Sequence, residues 1–315
     1  MEKTQRNIKK KRRKRRNHTF VVLTRLMLCL AIVSTVVIVS FKLAVKSYSE
    51  VVVSEINNEI NNKDEKNVSI KEDESIQGKK DDNFDDVTLI NDNRGVPVIC
   101  YHSINNDPSG KSSIIISKDK FRQQLQTIKD NGYMTLTMAQ LNDYLYKDKP
   151  IPEKSLVITF DDGYRDNYTN AFPILKEFNM NATIFVISSY INRELYLTTN
   201  EIIEMSDYGI DIESHTVSHV KLSTLSYENQ VKELKESRDA LEKITNKPII
   251  AIAYPEGKYN KDTQKAVVEA GYSMGFTTER GYADRSDKST QLNRICVDYT
   301  YKPNNMLKIL KNLRK

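Results

Sequence analysis

The feature that most constrains the fold is an alternation of short β-rich runs with helical patterns from Val96 onward. Alternating strands and helices indicate a mostly parallel sheet with helices outside it. Seven strands are predicted, at 96–101, 155–160, 183–187, 210–213, 249–253, 274–277 and 292–297. Six helices are predicted, near 118–131, 138–146, 170–178, 200–208, 227–244 and 261–270. Seven strands favour an α/β fold in the form of a distorted (β/α) barrel, whose working residues lie at the C-terminal ends of strands.

The N-terminal 42 residues have a different character. Residues 1–18 hold ten Lys or Arg against one acid, and 20–41 is almost continuously apolar, with Arg25 near its start. About 20 apolar residues cross a bilayer as a helix, and a basic flank predicts that the N-terminus stays cytoplasmic. We therefore predict a basic cytoplasmic tail (1–18) and a transmembrane signal anchor (19–42). A cleaved signal peptide is the alternative, but no convincing small-x-small cleavage site follows the apolar run.

The remaining chain is predicted to lie outside the cell. Residues 43–95 are rich in Asn, Asp, Glu, Lys and Ser and offer little to bury, which predicts a flexible extracellular linker. A single folded domain is then expected at 96–315. The basic tail contributes +9 to the formal net charge of +6, which leaves −3 for the rest of the chain. This charge excludes the basic surface that nucleic-acid binding requires.

Two adjacent acids end the second predicted strand, where Leu156-Val-Ile-Thr-Phe160 runs directly into Asp161-Asp162-Gly163. Successive residues point in different directions, so one carboxylate can bind a metal while the other stays free as a base. The glycine permits the sharp turn that such a site needs. The alternative interpretation is structural, with a helix N-cap followed by a turn.

Two of the four histidines, His215 and His219, follow the fourth predicted strand. Imidazoles four residues apart lie on one face of a helical turn and can converge on one cation; core packing is the alternative. No Glu lies between them, so the metalloprotease pattern is not met. With one carboxylate the pair gives three ligands and open positions, which is typical of a catalytic metal. The spare carboxylate would then take a proton from water acidified by the metal, which indicates metal-assisted hydrolysis of an acyl bond.

The motifs Thr159-Phe-Asp-Asp-Gly163 and His215-Thr-Val-Ser-His219 resemble the first two motifs of the NodB-like polysaccharide deacetylases, carbohydrate esterase family 4. Their order, separation and placement after strands all match, and the resemblance covers about 97–300. It implies a distorted (β/α) barrel that removes acetyl groups from an N-acetylated polysaccharide. It also implies that Asp161 is the catalytic base. The metal ligands implied are Asp162, His215 and His219. One divalent ion is expected, zinc in vitro, although the ligand set also suits cobalt, nickel or iron.

The sequence departs from the common family pattern in two places. The third motif usually has an Arg before Pro-Tyr, whereas 251–257 reads Ala-Ile-Ala-Tyr-Pro-Glu-Gly. The usual late histidine that supplies the general acid is also absent. The chain instead resembles the subgroup that acts on poly-N-acetylglucosamine, with Tyr101-His102 near the start of the domain and Arg294 on the last strand. This resemblance implies that His102 protonates the leaving amine and that Arg294 orients Asp161.

Several assignments stay open at this point. Backbone N–H groups around Tyr254 and Pro255 are expected to bind the oxyanion, and loops 103–113 and 190–198 are expected to shape the sugar groove. Glu213 is interpreted as a supporting or barrel residue. The substrate is either poly-N-acetylglucosamine or peptidoglycan, and a non-catalytic glycan-binding or scaffold protein on the same fold is the alternative from another class. Cys100 and Cys296 either form a disulfide or stay buried thiols, and the sequence does not decide between the two.

Overall fold

Seven parallel strands close into a barrel in the computed structural model, which describes Phe84 and residues 87–107 and 112–312. Each strand pairs with the next along the chain, and the last pairs with the first. The strands are β1 (Val98–Tyr101), β2 (Ser155–Phe160), β3 (Thr183–Val186), β4 (Asp211–Ser214), β5 (Ala251–Ala253), β6 (Met274–Arg280) and β7 (Leu292–Cys296). The predicted α/β barrel is therefore confirmed, and its sheet is closed.

Helices follow the strands along the chain. They are α1 (Lys118–Asp130), α2 (Met138–Tyr146), α3 (Phe172–Phe178), α4 (Thr199–Tyr208), α5 (Tyr227–Thr245), α6 (Lys261–Glu269) and α7 (Pro303–Asn312). A π turn (Asn167–Ala171) precedes α3, and 3-10 turns lie at Ser188–Tyr190, Leu222–Thr224 and Pro255–Gly257. Capping boxes, in which side chains pair with the free N–H groups of the first turn, begin α2, α4 and α6. The sequence analysis did not predict α7.

Among the residues that the structure describes, five strands of two residues each also escaped prediction. Leu89–Ile90 pairs antiparallel with Ile151–Pro152, and Ser103–Ile104 pairs with Ile115–Ile116. Met134–Thr135 lies beside the first residues of β2. Two residues carry no readable periodicity, which is why such strands are missed. Leu89–Ile90 falls within the segment 43–95 that was assigned to the linker.

Apolar packing closes one end of the barrel and leaves polar side chains at the other end. Alternate strand residues divide between the barrel interior and the helix-facing side. One cluster combines interior residues such as Val98, Val157 and Phe276 with residues of α2. The first N–H of α2 donates to Asp211 at the start of β4, over 2.6 Å, so α2 covers the N-terminal end of the barrel. The C-terminal end is left for the polar side chains that follow the strands.

The membrane predictions concern another part of the chain. In the part that the structure describes, no helix is long and apolar enough to cross a bilayer. The predicted tail (1–18), the predicted anchor (19–42) and most of the predicted linker lie outside the described residues. These three assignments stay predictions.

Candidate active site

The two adjacent acids lie at the C-terminal end of β2, where the chain turns sharply. Asp162 and Gly163 both have left-handed backbone conformations, with φ of 74° and 69°. Glycine adopts this conformation freely, whereas a residue with a side chain is strained by about 1–3 kcal/mol. The turn directs the two carboxylates to different partners: Asp161 contacts Arg294 and Asp162 faces the histidines. The two adjacent carboxylates therefore have different neighbours.

Asp162, His215 and His219 converge at the ends of β2 and β4. The Oδ1 atom of Asp162 lies 3.4 Å from Nε2 of His215 and 3.3 Å from Nε2 of His219. One ligand atom from each of the three residues lies within 4.8 Å of the other two. Ligands placed about 2.0–2.1 Å from a tetrahedral zinc are about 3.3 Å apart. The donor atoms and their spacing therefore fit a single divalent cation.

The convergence of the two histidines does not come from a helical turn, so that part of the prediction is wrong. Residues 215–219 form an irregular loop in which Thr216 and His219 are left-handed, with φ of 68° and 58°. The His215 ring is fixed by a hydrogen bond from Nδ1 to the Ala253 carbonyl at 2.8 Å. Nδ1 must carry the proton of that bond, which leaves Nε2 as a lone-pair donor facing Asp162.

The ionisation of the cluster follows from its contacts. Burial acts to raise the pKa of Asp162, but the neighbouring side chains of His215 and His219 lower it well below its ordinary value. The same carboxylate raises the pKa of His219. A divalent cation needs Asp162 ionised and both imidazoles neutral, so its binding would release a proton held by His219.

Asp161 and Arg294 form a buried, two-pronged ion pair. Nη1 and Nη2 of Arg294 donate to Oδ1 and Oδ2 of Asp161, both over 2.7 Å, and Nε donates to the Thr277 carbonyl at 3.0 Å. Burial acts to raise the pKa of Asp161, but the charge and hydrogen bonds of Arg294 lower it to about 2. Asp161 is thereby kept ionised and fixed in orientation.

His102 follows β1 and lies beside the same carboxylate. One nitrogen, sulfur or carboxylate oxygen atom from each of Cys100, His102 and Asp161 lies within 4.8 Å of the other two. Nδ1 of His102 is buried and finds no hydrogen-bond partner among the described residues. Burial lowers the pKa of His102, while Asp161 and Asp162 act to raise it. The structure therefore places one unassigned imidazole next to the ion pair.

The π turn after β2 holds the segment that carries His102. Asn167 donates from Nδ2 to the His102 carbonyl at 2.7 Å. Asp166 accepts from Ser103 Oγ at 2.6 Å and from the Ile104 N–H at 3.0 Å. These contacts were not predicted, because nothing in the sequence relates a turn at 166–167 to residues more than 60 positions earlier.

Tyr254 does not offer the predicted oxyanion donor. Its N–H donates to the Phe276 carbonyl at 3.0 Å, and its buried hydroxyl donates to the Thr290 carbonyl at 2.8 Å. Pro255 has no N–H. The prediction is wrong for these two residues because the pairing between β5 and β6 continues through Tyr254 and uses its amide.

The remaining candidates have structural partners. Cys100 and Cys296 lie directly opposite each other on β1 and β7, and both are free thiols. The Sγ of Cys100 also contacts Asp161 Oδ2 at 3.5 Å. Glu213 accepts from the backbone N–H groups that begin β5, at 2.9 and 2.8 Å, and burial raises its pKa. It is a barrel residue that anchors the neighbouring strand.

Three tyrosines, Tyr164, Tyr190 and Tyr196, form what we call the tyrosine wall beside the metal ligands. The Tyr164 and Tyr196 rings stack at 5.4 Å between centroids, and Tyr190 meets Tyr196 edge-on at 4.8 Å. Burial and the nearby Asp162 charge raise the pKa of Tyr164. The Leu197 N–H donates to the Gly163 carbonyl at 3.0 Å, which fixes the loop against the end of β2. The wall thus belongs to the same end of the barrel.

Comparisons with known proteins agree with this geometry. A sequence profile described as polysaccharide deacetylase matches residues 148–275. The chain is similar to the putative polysaccharide deacetylase YxkH of Bacillus subtilis, at 40% identity over 64% of this chain and 71% of the relative. It is also similar to a poly-beta-1,6-N-acetyl-D-glucosamine N-deacetylase of Staphylococcus epidermidis, at 31% identity over 58% and 68%. The solved Streptococcus pyogenes deacetylase PplD in complex with acetate matches with a TM-score of 0.68 and 34% identity, over 70% of this chain and 100% of that one.

Proposed function

The chain belongs to the polysaccharide deacetylase family, the NodB-like enzymes of carbohydrate esterase family 4, and from this premise we propose that it removes acetyl groups from the N-acetylglucosamine units of an extracellular polysaccharide. It is a polysaccharide N-deacetylase by family. The observation that carries the proposal is the meeting of Asp162, His215 and His219 at one end of the barrel, with Asp161 held apart from them by Arg294.

We assign the cation site to Asp162, His215 and His219, with Asp161 as the base beside it. A bound divalent ion, zinc in vitro, would polarise the acetamide carbonyl and make water more acidic. Asp161 takes the proton of the attacking water, and Arg294 keeps its carboxylate ionised and correctly oriented. With a pKa of about 2, Asp161 is a weak base by itself, so it works only on an acidified water.

The leaving group needs a proton when its carbon–nitrogen bond breaks. Asp161 already receives the proton of the water, and His102 is the remaining imidazole beside it. We assign proton donation to His102, whose proton goes to the amine nitrogen as acetate leaves. The products are acetate and a glucosamine unit.

Replacing His102 by Gln is expected to lower kcat about 10²-fold, because a positioned general acid contributes about 10²–10⁴-fold. KM should change little, since the metal ligands and the tyrosine wall stay in place. Acetate release at saturating substrate is the measurement. His18 belongs to the predicted basic tail, so His18→Gln is the matched control and should leave kcat unchanged. A His102→Gln chain with wild-type kcat would remove His102 from the mechanism.

Poly-N-acetylglucosamine is the substrate we propose. Staphylococcal relatives named poly-beta-1,6-N-acetyl-D-glucosamine N-deacetylase are 29% and 31% identical to this chain. The tyrosine wall supports a glycan substrate, because the chain has no Trp and Tyr164 and Tyr196 offer aromatic side chains beside the metal ligands. Peptidoglycan is the competing substrate.

We further propose that the enzyme acts outside the cell from a membrane anchor. The apolar run at 20–41 and the basic block before it support a cytoplasmic N-terminus and an exported domain. A flexible linker of about 50 residues would span about 40 Å on average. That reach suits an enzyme whose polymer lies above the membrane.

Purified full-length chain with zinc should release acetate from β-1,6-linked N-acetylglucosamine oligomers faster than from isolated peptidoglycan. Intact cells that express the chain should do the same with oligomers added outside them, because the domain is exported. Acetate released from peptidoglycan alone would overturn the assigned polymer. Activity in broken cells but not in intact ones would overturn the placement. If the chain binds glycan but releases no acetate with any divalent metal, it is a glycan-binding protein and the proposed activity is overturned.

A further inference from the structure

The loop between the two histidine ligands depends on its surroundings for its shape. Thr216 and His219 are both left-handed residues with side chains, a conformation that is disfavoured unless neighbouring contacts enforce it. Within the loop, the His219 N–H donates to Thr216 Oγ1 at 3.0 Å. This single internal bond leaves the N–H groups of the loop tip to be held from elsewhere.

Helix α5 supplies those contacts through Glu233. Its Oε2 accepts from the N–H groups of Val217 and Ser218, at 3.0 and 3.1 Å, and its Oε1 accepts from Ser218 Oγ at 2.8 Å. Hydrogen bonds to an ionised carboxylate are about twice as strong as neutral ones. One side chain therefore binds the two residues that directly precede His219.

The same face of α5 also holds the other end of the loop. Ser237, one turn after Glu233, is fully buried and hydrogen-bonds Ser214 Oγ at 2.8 Å. Ser214 Oγ accepts in turn from the Thr216 N–H at 3.2 Å. The helix thus fixes the entry and the tip of the loop with side chains four residues apart.

The two histidines differ in how much they need this support. The His215 side chain is 3% exposed and its ring is held by the Ala253 carbonyl. The His219 side chain is 31% exposed, so packing constrains it less. Its position is set mainly by the backbone that carries it.

We propose that Glu233 is a positioning residue that sets cation affinity by holding the loop that presents His219; the proposal rests on the metal site of the proposed function. A carboxylate suits the position because all three of its partners are donors. Glutamine keeps the size and polarity of the side chain and one acceptor oxygen, but it removes the negative charge that strengthens the bonds from the two N–H groups.

The test compares zinc Kd in the full-length chain, measured by competition with a chelator, for wild type and Glu233→Gln. We expect Kd to rise about 10-fold, the lower end of the usual effect of changing an outer contact of a metal ligand. At saturating zinc, kcat should return close to wild type. Glu236→Gln is the matched control, because Glu236 is exposed on the same helix, 3.9 Å from Lys232, and should leave Kd unchanged.

A purely structural role for Glu233 would lower the unfolding temperature of the metal-free chain and leave Kd at the wild-type value, which would overturn the proposal. Ser218→Ala removes only the hydroxyl contact and should raise Kd by less than Glu233→Gln does. A wild-type chain that binds zinc tightly and releases no acetate would overturn the proposed function alone. Acetate release by a Glu233→Gln chain with unchanged Kd would overturn the positioning role alone.

Discussion

Asp161→Asn is expected to lower acetate release about 10³-fold while the chain still binds its cation. The substitution removes the base, which contributes about 10²–10⁴-fold, and leaves Asp162, His215 and His219 unchanged. Asn has nearly the shape of Asp and one oxygen that can still accept from Arg294, so the local geometry should persist. The measurement is kcat for acetate release, with the bound metal counted in the same sample.

The same substitution should also reduce stability, because Arg294 is fully buried and loses its counter-charge. Breaking a buried pair costs about 3–5 kcal/mol, whereas replacing both partners by apolar groups is often neutral. The double variant Asp161→Asn/Arg294→Met should therefore recover much of the free energy of unfolding and none of the activity. Asp262→Asn, an exposed acid of α6, controls for the loss of one carboxylate. Activity within tenfold of wild type in Asp161→Asn would contradict the assignment.

The adjacent acids illustrate how one short motif supports two different tasks. Asp161 is committed to Arg294 on both oxygens, so it is not free to turn toward the imidazoles. Asp162 and Gly163 both have left-handed backbone conformations, and the Asp162 carboxylate faces the two histidines instead of Arg294. A neighbouring pair of carboxylates thus becomes one base and one metal ligand without a long chain segment between them.

The barrel was predictable because its strands are strongly apolar and end in polar residues. The runs 155–160 and 183–187, for example, are each confirmed as a buried strand within one residue at either end. The two-residue strands, such as Leu89–Ile90, were not predictable, since they form only through pairing with a distant segment.

The candidate site also has features that could be predicted from the sequence and features that could not. Residue types and their positions after strands indicated Asp161, Asp162, His215 and His219, which the structure brings to one end of the barrel. The helical turn proposed for the histidines was wrong, because the left-handed residues between them leave no signature in residue type. The amide of Tyr254 was misassigned because the sequence does not show how far the pairing of two strands continues.

Some contacts were beyond sequence analysis altogether. Glu233 looks like any other acid on an amphipathic helix, and only the packing of α5 against the loop brings it to Val217 and Ser218. Asn167 likewise holds His102 from a turn that the sequence presents as an ordinary polar loop. Such supporting residues become visible when the fold has brought distant segments together.

Removing the cation from the full-length chain with a chelator is the most direct test of the site. The cation is expected to stabilise the transition state by several kcal/mol, so acetate release from N-acetylglucosamine oligomers should fall by more than about 10²-fold. Addition of zinc should restore the rate and reach its maximum at one equivalent per chain. His219→Ala should bind zinc weakly and recover little activity. Undiminished acetate release by the metal-free chain would contradict the account.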